Sequence, residues 1–391
     1  MPPRPALARH LRAGLSRPLS VSARAAHAGC STPHAPPSSS SASTSASASP
    51  SSSSFPSSTA ASHAPSPANP AGARETATAG GRTHRTPGAP LNAPVGAGGP
   101  GDNAAYCASL VQRLDPDAWL TSYFWPRRER EWWLAMRAFN LELHLVTTTV
   151  SQPAIAAMRF QFWRDALAAV FGGKPVPQHP VALALASVHA ARPVQRYYLG
   201  QLIEVRAKNL AAPPASATLE QHLATFSPLS GALLQGPLPL VLPPTDPETG
   251  HIAHTLSHVA HLLSVASMLR ALPSLIGKRQ LNIPADVAGR HGLVDEEVFR
   301  RGAAAPGLRD ALFEIATRGM DELITARRDL SKTNGKVVPK ECMPIFLAAV
   351  PAERYLHRLE KADFDVFAPE LAKHDWQLAP RIWWTYQRGK L

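Results

Sequence analysis

Apolar residues recur every three or four positions along most of the chain from residue 102 onward, and no segment alternates apolar with polar residues. This spacing places apolar side chains on one face of an α-helix, whereas a half-buried strand needs strict alternation. Helices are predicted over residues 103–114, 127–150, 154–171, 181–191, 193–210, 219–234, 251–272, 295–301, 309–330 and 352–362. We therefore expect one all-α domain spanning residues 102–391.

Residues that favour helix ends mark several of these boundaries. Asp102 is predicted to cap the first helix, because a carboxylate placed there accepts unpaired N–H groups of the first turn. Pro126 and Pro153 suit the first turns of the next two helices, where the missing N–H is not needed. Gly172 and Gly173 favour the left-handed backbone with which many helices end.

The first 101 residues differ in composition from the rest of the chain. Residues 1–30 are rich in arginine, alanine, serine and leucine, contain no acid, and place leucines at i, i+4 spacing between arginines. This basic amphipathic pattern predicts a mitochondrial transit peptide, with a disordered basic tail as the alternative. Residues 31–101 are rich in serine, alanine and proline and predict a disordered leader, because they bury too little apolar surface to fold.

Most of the net charge of +12 resides in residues 1–101, which contain eight arginines and a single glutamate. The predicted domain is therefore only modestly basic. Because it also lacks a recognised RNA- or DNA-binding motif, we do not expect a nucleic-acid partner. The three cysteines, Cys30, Cys107 and Cys342, form no CxxC pair, which argues against a disulfide or zinc framework.

Five segments of the predicted domain carry a family pattern, and they occur at residues 136–143, 158–165, 204–210, 268–273 and 362–369. In this order and spacing they resemble the squalene/phytoene synthase family, and within it a branch that acts in assembling mitochondrial respiratory complex I. The resemblance covers the chain from about residue 106. It implies an isoprenoid-synthase-like single helical domain with a remnant central cavity.

In active members of that family, two facing helices each carry aspartates at i and i+4 that hold magnesium and a prenyl diphosphate. In this chain those four positions hold His144, Thr148, Ala271 and Leu275. Magnesium prefers carboxylate and other oxygen ligands, whereas imidazole suits zinc or copper. We therefore expect no catalytic residue, no bound metal and no cofactor.

The resemblance implies a catalytically silent protein on the matrix side of the mitochondrial inner membrane. It is expected to act early in complex I assembly by binding complex I subunits or other assembly factors. The alternative is an active prenyl-diphosphate transferase with displaced metal ligands, among which Glu142 is the nearest acid to the first pair.

Two further groups of polar residues are candidate sites. The resemblance implies that Arg159, Arg164 and Arg270 line the remnant cavity and favour an anionic ligand, a lipid or an isoprenoid. The alternative is that they form surface salt bridges. Four histidines share one face of the helix predicted over residues 251–272, namely His251, His254, His258 and His261. Two histidines at i, i+4 can bind zinc, but no third ligand is evident in the sequence, so a polar stripe is favoured.

No run of 18 uninterrupted apolar residues occurs in the chain, so no transmembrane helix is predicted. Peripheral membrane contact is predicted from two segments. Residues 233–244 form an apolar, proline-broken stretch, and residues 381–390 mix aromatic residues with cations as interfacial segments do. The alternative for both segments is ordinary packing onto the helical domain.

Overall fold

A computed structural model describes residues 99–192, 194–211, 216–333 and 337–391, which contain helices and connections and no strand. The all-α prediction is confirmed. The predicted transit peptide and nearly all of the predicted leader lie outside the described residues.

The longer helices carry the architecture, and short helices connect them. The longer ones are α1 (Pro100–Leu114), α3 (Arg127–Thr149), α4 (Pro153–Gly172), α5 (Pro180–Ala191), α6 (Arg196–Ala211), α7 (Leu219–Gln235), α9 (Thr249–Gly277), α12 (Leu308–Thr333), α14 (Ala349–Lys361) and α16 (Leu378–Arg388). The shorter ones are α2 (Pro116–Ser122), α8 (Leu238–Val241), α10 (Ala285–Arg290), α11 (Asp295–Arg301), α13 (Met343–Phe346) and α15 (Pro369–Ala372).

The first helix begins earlier than its predicted cap. It starts at Pro100, so Asp102 lies inside the first turn, where its carboxylate accepts the Gly99 N–H at 3.0 Å. The prediction of Asp102 as the cap was therefore wrong. Its carboxylate still satisfies an N–H at this helix end, from a position three residues further on.

Helix α9 runs five residues past its predicted end, through Pro273 to Gly277. Leu272 and Ile276 are buried on either side of that proline, so packing holds the last turn against the core. Intrinsic helix preference alone would have ended the helix near Pro273.

Helix α9 lies at the centre of the domain. Its apolar face is buried from Ile252 to Ile276, and it packs against α7, α12 and α14. At its crossing with α12, a Cβ atom added to Gly319 would lie 2.8 Å from Val265 Cγ1, so the two backbones approach closely. A second group of helices, α1 and α3 to α6, packs around the buried Phe139 and Phe160.

Among the described residues, α9 is the one helix that is long and apolar enough to cross a membrane. In its most apolar window, 56% is buried inside the protein. These contacts are typical of a central core helix.

Candidate functional site

The first pair of positions that the resemblance assigns to metal aspartates lies near the C-terminal end of α3. His144 and Thr148 are one helical turn apart and exposed. The Thr148 hydroxyl donates a hydrogen bond to the His144 carbonyl at 3.1 Å, so it satisfies the helix backbone. The pKa of His144 is lowered by its protein surroundings and by the positive charge of Arg206. This end of α3 therefore offers a neutral imidazole beside a cation, which is unfavourable for a magnesium ion.

The second pair lies in the last two turns of α9. Ala271 and Leu275 are half-buried, and neither side chain has an atom that ligates a metal. The four positions therefore supply one imidazole and one hydroxyl, and no carboxylate.

A cavity of about 220 Å³ separates α3 from α9. Trp133 and Arg137 line it from α3, and Leu263, Ser267 and Arg270 line it from α9. Segments from α2, α7 and residues 344–352 close its other sides. The volume is below the about 300–1,000 Å³ of typical small-molecule pockets. A cavity therefore lies between the two helices, but none of the four positions assigned to the metal aspartates lines it, and it offers little room for a prenyl chain.

The charges in this cavity are paired with one another. Arg137 forms an ion pair with Asp115, whose carboxylate also accepts the Ala118 N–H at 3.0 Å. Burial tends to raise the pKa of Asp115, but the Arg137 charge, the Ala118 N–H and the Arg270 charge together lower it. The carboxylate is therefore ionised and held by its neighbours.

Arg270 connects three helices. Its guanidinium donates to Asp117 Oδ2 at 3.0 Å and to the Pro351 carbonyl at 3.0 Å, and it lies over the Tyr355 ring at 4.7 Å. These contacts join α9 to α2 and α14. The donors of Arg270 are thus directed at protein groups rather than into an open anion site.

The other two arginines expected in the cavity lie on α4 and are not among its lining residues. Arg164 forms a two-pronged ion pair with Glu204 of α6, at 2.7 and 2.8 Å. That bond holds the pKa of Glu204 below its usual range, against the opposing effect of burial. Arg159 is half-buried. The structure therefore places Arg270 at the cavity and uses Arg164 as a link between helices.

Arg206 of α6 was not singled out from the sequence. Its guanidinium donates to Asn140 Oδ1 at 2.5 Å and to the Leu202 carbonyl at 2.9 Å. Burial, followed by the charge of Arg137, lowers its pKa to about 10. The local sequence gave no signal of this role, because the partner Asn140 lies 66 residues away in the chain.

Glu142, the nearest acid to the first former metal pair, accepts a hydrogen bond from the Tyr106 hydroxyl at 2.9 Å. Burial and the Glu142 charge raise the pKa of that phenol. The same two effects raise the pKa of the buried Cys107 thiol to about 12. Glu142 thus has a structural partner between α1 and α3.

Three of the four histidines on this face of α9 lie against acidic side chains of α12. His258 Nδ1 lies 2.5 Å from Glu322 Oε2, and His261 Nδ1 lies 3.1 Å from Glu322 Oε1. Further along the same seam, His254 Nε2 and His258 Nε2 lie 3.7 and 3.6 Å from Asp329 Oδ2. We call the group of His254, His258, His261, Glu322 and Asp329 the α9–α12 seam. Its acids come from α12, more than 60 residues downstream, and no local sequence pattern joins them to the histidines.

Glu322 is the most strongly held acid of the seam. Its side chain is 7% exposed and also pairs with Arg318, which in turn binds Glu220 at 2.8 Å. Burial tends to raise the pKa of Glu322, but hydrogen bonds from His261, His258 and Arg318 lower it to about 2. Asp329 accepts a bond from Lys332 Nζ at 2.9 Å through its other oxygen.

The two segments expected at a membrane surface differ from each other. In residues 233–244, Leu234, Leu238 and Leu240 are buried, so that segment packs onto the domain. Helix α16 buries Leu378 and Ile382 and leaves Trp383 and Trp384 about half exposed, at 52% and 49%. An exposed aromatic pair therefore remains at α16.

Comparison with known proteins agrees with this architecture. The family model for squalene/phytoene synthase matches residues 111–381. A rat protein named NADH dehydrogenase (ubiquinone) complex I, assembly factor 6 is 33% identical over 277 residues, covering 70% of this chain and 80% of the relative. The human protein of the same name is 30% identical and covers 74% and 85%, and a Drosophila melanogaster homolog is 31% identical and covers 73% and 83%.

Two solved structures show the same fold. A dehydrosqualene synthase bound to a ligand superposes with a TM-score of 0.63 at 16% identity, covering 74% of this chain and 96% of that one. A squalene synthase from Alicyclobacillus acidocaldarius gives a TM-score of 0.57 at 17% identity, covering 68% and 95%.

Proposed function

Because this chain belongs to the squalene/phytoene synthase family and its curated relatives are named as complex I assembly factors, we propose that it is a catalytically silent member acting in early assembly of mitochondrial respiratory complex I. One observation carries the proposal. The positions that the family resemblance assigns to the metal aspartates hold His144, Thr148, Ala271 and Leu275, none of which is a carboxylate.

The electrostatics of the reaction explain why that observation matters. Departure of a diphosphate requires neutralisation of several negative charges by metal ions and basic groups. Loss of one such group typically reduces a rate by about 10²–10³, and here all four carboxylates are replaced. The cavity supports the same conclusion, since Arg137 and Arg270 are already paired with Asp115 and Asp117.

The site of action follows from the leader and the helical surface. The basic, acid-free residues 1–30 direct import into the mitochondrial matrix, where the protein binds complex I subunits or other assembly factors. Peripheral attachment to the inner membrane occurs through α16, where Trp383 and Trp384 lie beside Arg381 and Arg388. Aromatic side chains next to cations suit the headgroup region of an anionic bilayer.

Two measurements on the protein test the silent assignment. Purified full-length protein with magnesium and farnesyl diphosphate should release no diphosphate above the enzyme-free background. Cells lacking the protein should lose assembled complex I and keep normal isoprenoid levels. Metal-dependent turnover that disappears in the Glu142→Gln variant would replace the proposal with an active prenyl-diphosphate transferase.

Membrane attachment has its own test. Full-length protein should co-sediment with vesicles that contain anionic lipid, and the Trp383→Ala/Trp384→Ala double variant should lose most of that binding. Tyr197→Ala is the matched control, because Tyr197 is an aromatic side chain 65% exposed on α6. Equal loss in the control, or no loss in the double variant, would rule out α16 as the contact.

A further inference from the structure

We propose that His254, His258 and Asp329 form a binding site for a divalent transition-metal ion of the zinc type, at the seam between α9 and α12. The site is separate from the former magnesium positions and does not depend on the proposed function. Imidazole and carboxylate ligands of this kind suit zinc, copper or nickel rather than magnesium.

The spacing of the ligand atoms carries the argument. His254 Nε2 and His258 Nε2 lie 3.7 and 3.6 Å from Asp329 Oδ2, and the three atoms are within 4.8 Å of one another. These contacts are longer than hydrogen bonds, which lie at about 2.7–3.2 Å. In a tetrahedral zinc site with bonds near 2.0–2.2 Å, ligand atoms are about 3.3–3.5 Å apart. Both nitrogen–oxygen distances are therefore close to the spacing of metal ligands and too long for hydrogen bonds.

Glu322 fixes the orientation of the central ligand. Its Oε2 accepts from His258 Nδ1 at 2.5 Å, which leaves the Nε2 lone pair directed toward Asp329. A carboxylate behind a metal-binding histidine holds the ring orientation and increases its basicity. Glu322 is 7% exposed and is held by Arg318, so this support is rigid.

The two helices also place the ligands at suitable positions and leave the site open to solvent. His254 and His258 are one turn apart on α9, the spacing at which two imidazoles reach one ion. Asp329 uses its Oδ1 for Lys332 and turns its Oδ2 toward the imidazoles. The His254 side chain is 66% exposed, so an ion reaches the site directly from solvent. Three protein ligands leave a fourth position for water, as in open zinc sites.

A second ligand set shares His258 but is less suitable. His258, His261 and Glu322 also approach one another, yet both Glu322 oxygens already accept short bonds from the two Nδ1 atoms and from Arg318. A metal there would have to break these bonds. The two sets make different predictions, because His261 belongs only to the second.

Metal titration of the full-length, metal-free protein tests the site. Calorimetry with Zn²⁺ should show one ion bound per chain in the seam, and Co²⁺ should develop the visible absorbance of tetrahedral coordination. His254→Ala and Asp329→Asn should abolish the absorbance. Glu322→Gln should weaken zinc binding by about 10- to 100-fold. His254 is mostly exposed, so its replacement leaves the fold intact, which circular dichroism verifies.

Two histidine variants serve as controls. His261→Ala and His374→Ala should bind zinc as the unaltered protein does, since His374 is exposed outside the seam. Three outcomes would overturn the proposal. They are absence of binding, binding that survives His254→Ala unchanged, and binding abolished by His261→Ala but not by His254→Ala.

Discussion

Helix α9 contributes to two polar environments that differ in the partners of their carboxylates. Toward the cavity, Arg270 pairs with Asp117, and the Arg137–Asp115 pair lines the same cavity. Toward α12, its imidazoles meet two carboxylates that are 7% and 10% exposed. The carboxylates of the cavity are thus paired with arginines, whereas those of the seam also face imidazoles.

Two histidines of the domain, each with a polar residue one helical turn further on, also differ in the charges beside them. His144 is followed by Thr148, and its protein surroundings together with the positive charge of Arg206 lower its pKa. His254 is followed by His258 and faces Asp329. Spacing along one helix is thus insufficient to define a metal site. The charge supplied by the neighbouring helix decides whether the pair attracts a cation.

The largest expected effect comes from removing the central acid of the seam. Glu322→Ala should lower the free energy of unfolding by about 3 kcal/mol, because it leaves Arg318 and two imidazoles without their buried anion. Urea unfolding measures the change. Glu220→Ala is the matched control, since Glu220 pairs with the same Arg318 but its side chain is 69% exposed. That control should change by less than about 1 kcal/mol. Equal effects in both variants would show that the seam is not a buried charge network.

Close packing at the same crossing gives the next prediction. Gly319→Ala should lower the free energy of unfolding by about 1–2 kcal/mol. The new Cβ would lie 2.8 Å from Val265 Cγ1 and overpack the α9–α12 contact. Gly200→Ala on α6 is the control, because a Cβ there meets no atom within 4 Å. Because alanine favours the helix more than glycine does, Gly200→Ala should raise the free energy of unfolding by up to about 1 kcal/mol. A stabilising Gly319→Ala would show that the two helices separate readily.

The pH dependence of stability tests the Arg137–Asp115 ion pair on the cavity side of α9. The pKa of Asp115 is lowered, so the folded protein binds this proton less readily than the unfolded chain does. Its contribution to stability is complete above the ordinary value of 3.8 and is lost as the pH falls below it. Asp115→Asn should therefore be less stable than the unaltered protein at pH 6. Between pH 6 and pH 3, its stability should fall by less than that of the unaltered protein. A parallel decline in both proteins, measured by urea unfolding, would contradict the assigned ion pair.

The helices and the cavity followed from information that is local in the sequence. Periodicity predicted α3 to within a residue of its end, and the resemblance placed α3 and α9 on either side of a cavity. The short helix α2 was missed because its seven residues give too little periodicity. The seam was missed for another reason. Glu322 and Asp329 reach the histidines only through the crossing of α9 with α12, and that crossing depends on tertiary packing at Gly319.

The smallest expected effect concerns the former metal positions themselves. His144→Asp together with Thr148→Asp restores the first acidic pair on an exposed helix end. The two negative charges near a helix C-terminus should lower the free energy of unfolding by less than about 1 kcal/mol. The attraction between the new carboxylates and Arg206 opposes that loss. Magnesium should neither raise the melting temperature of the double variant nor support release of diphosphate, because Ala271 and Leu275 still provide no opposing ligands. A magnesium-dependent increase in melting temperature, absent from the unaltered protein, would show that other residues supply cation ligands beside the restored pair. The contrast between the two faces of α9 would then no longer hold.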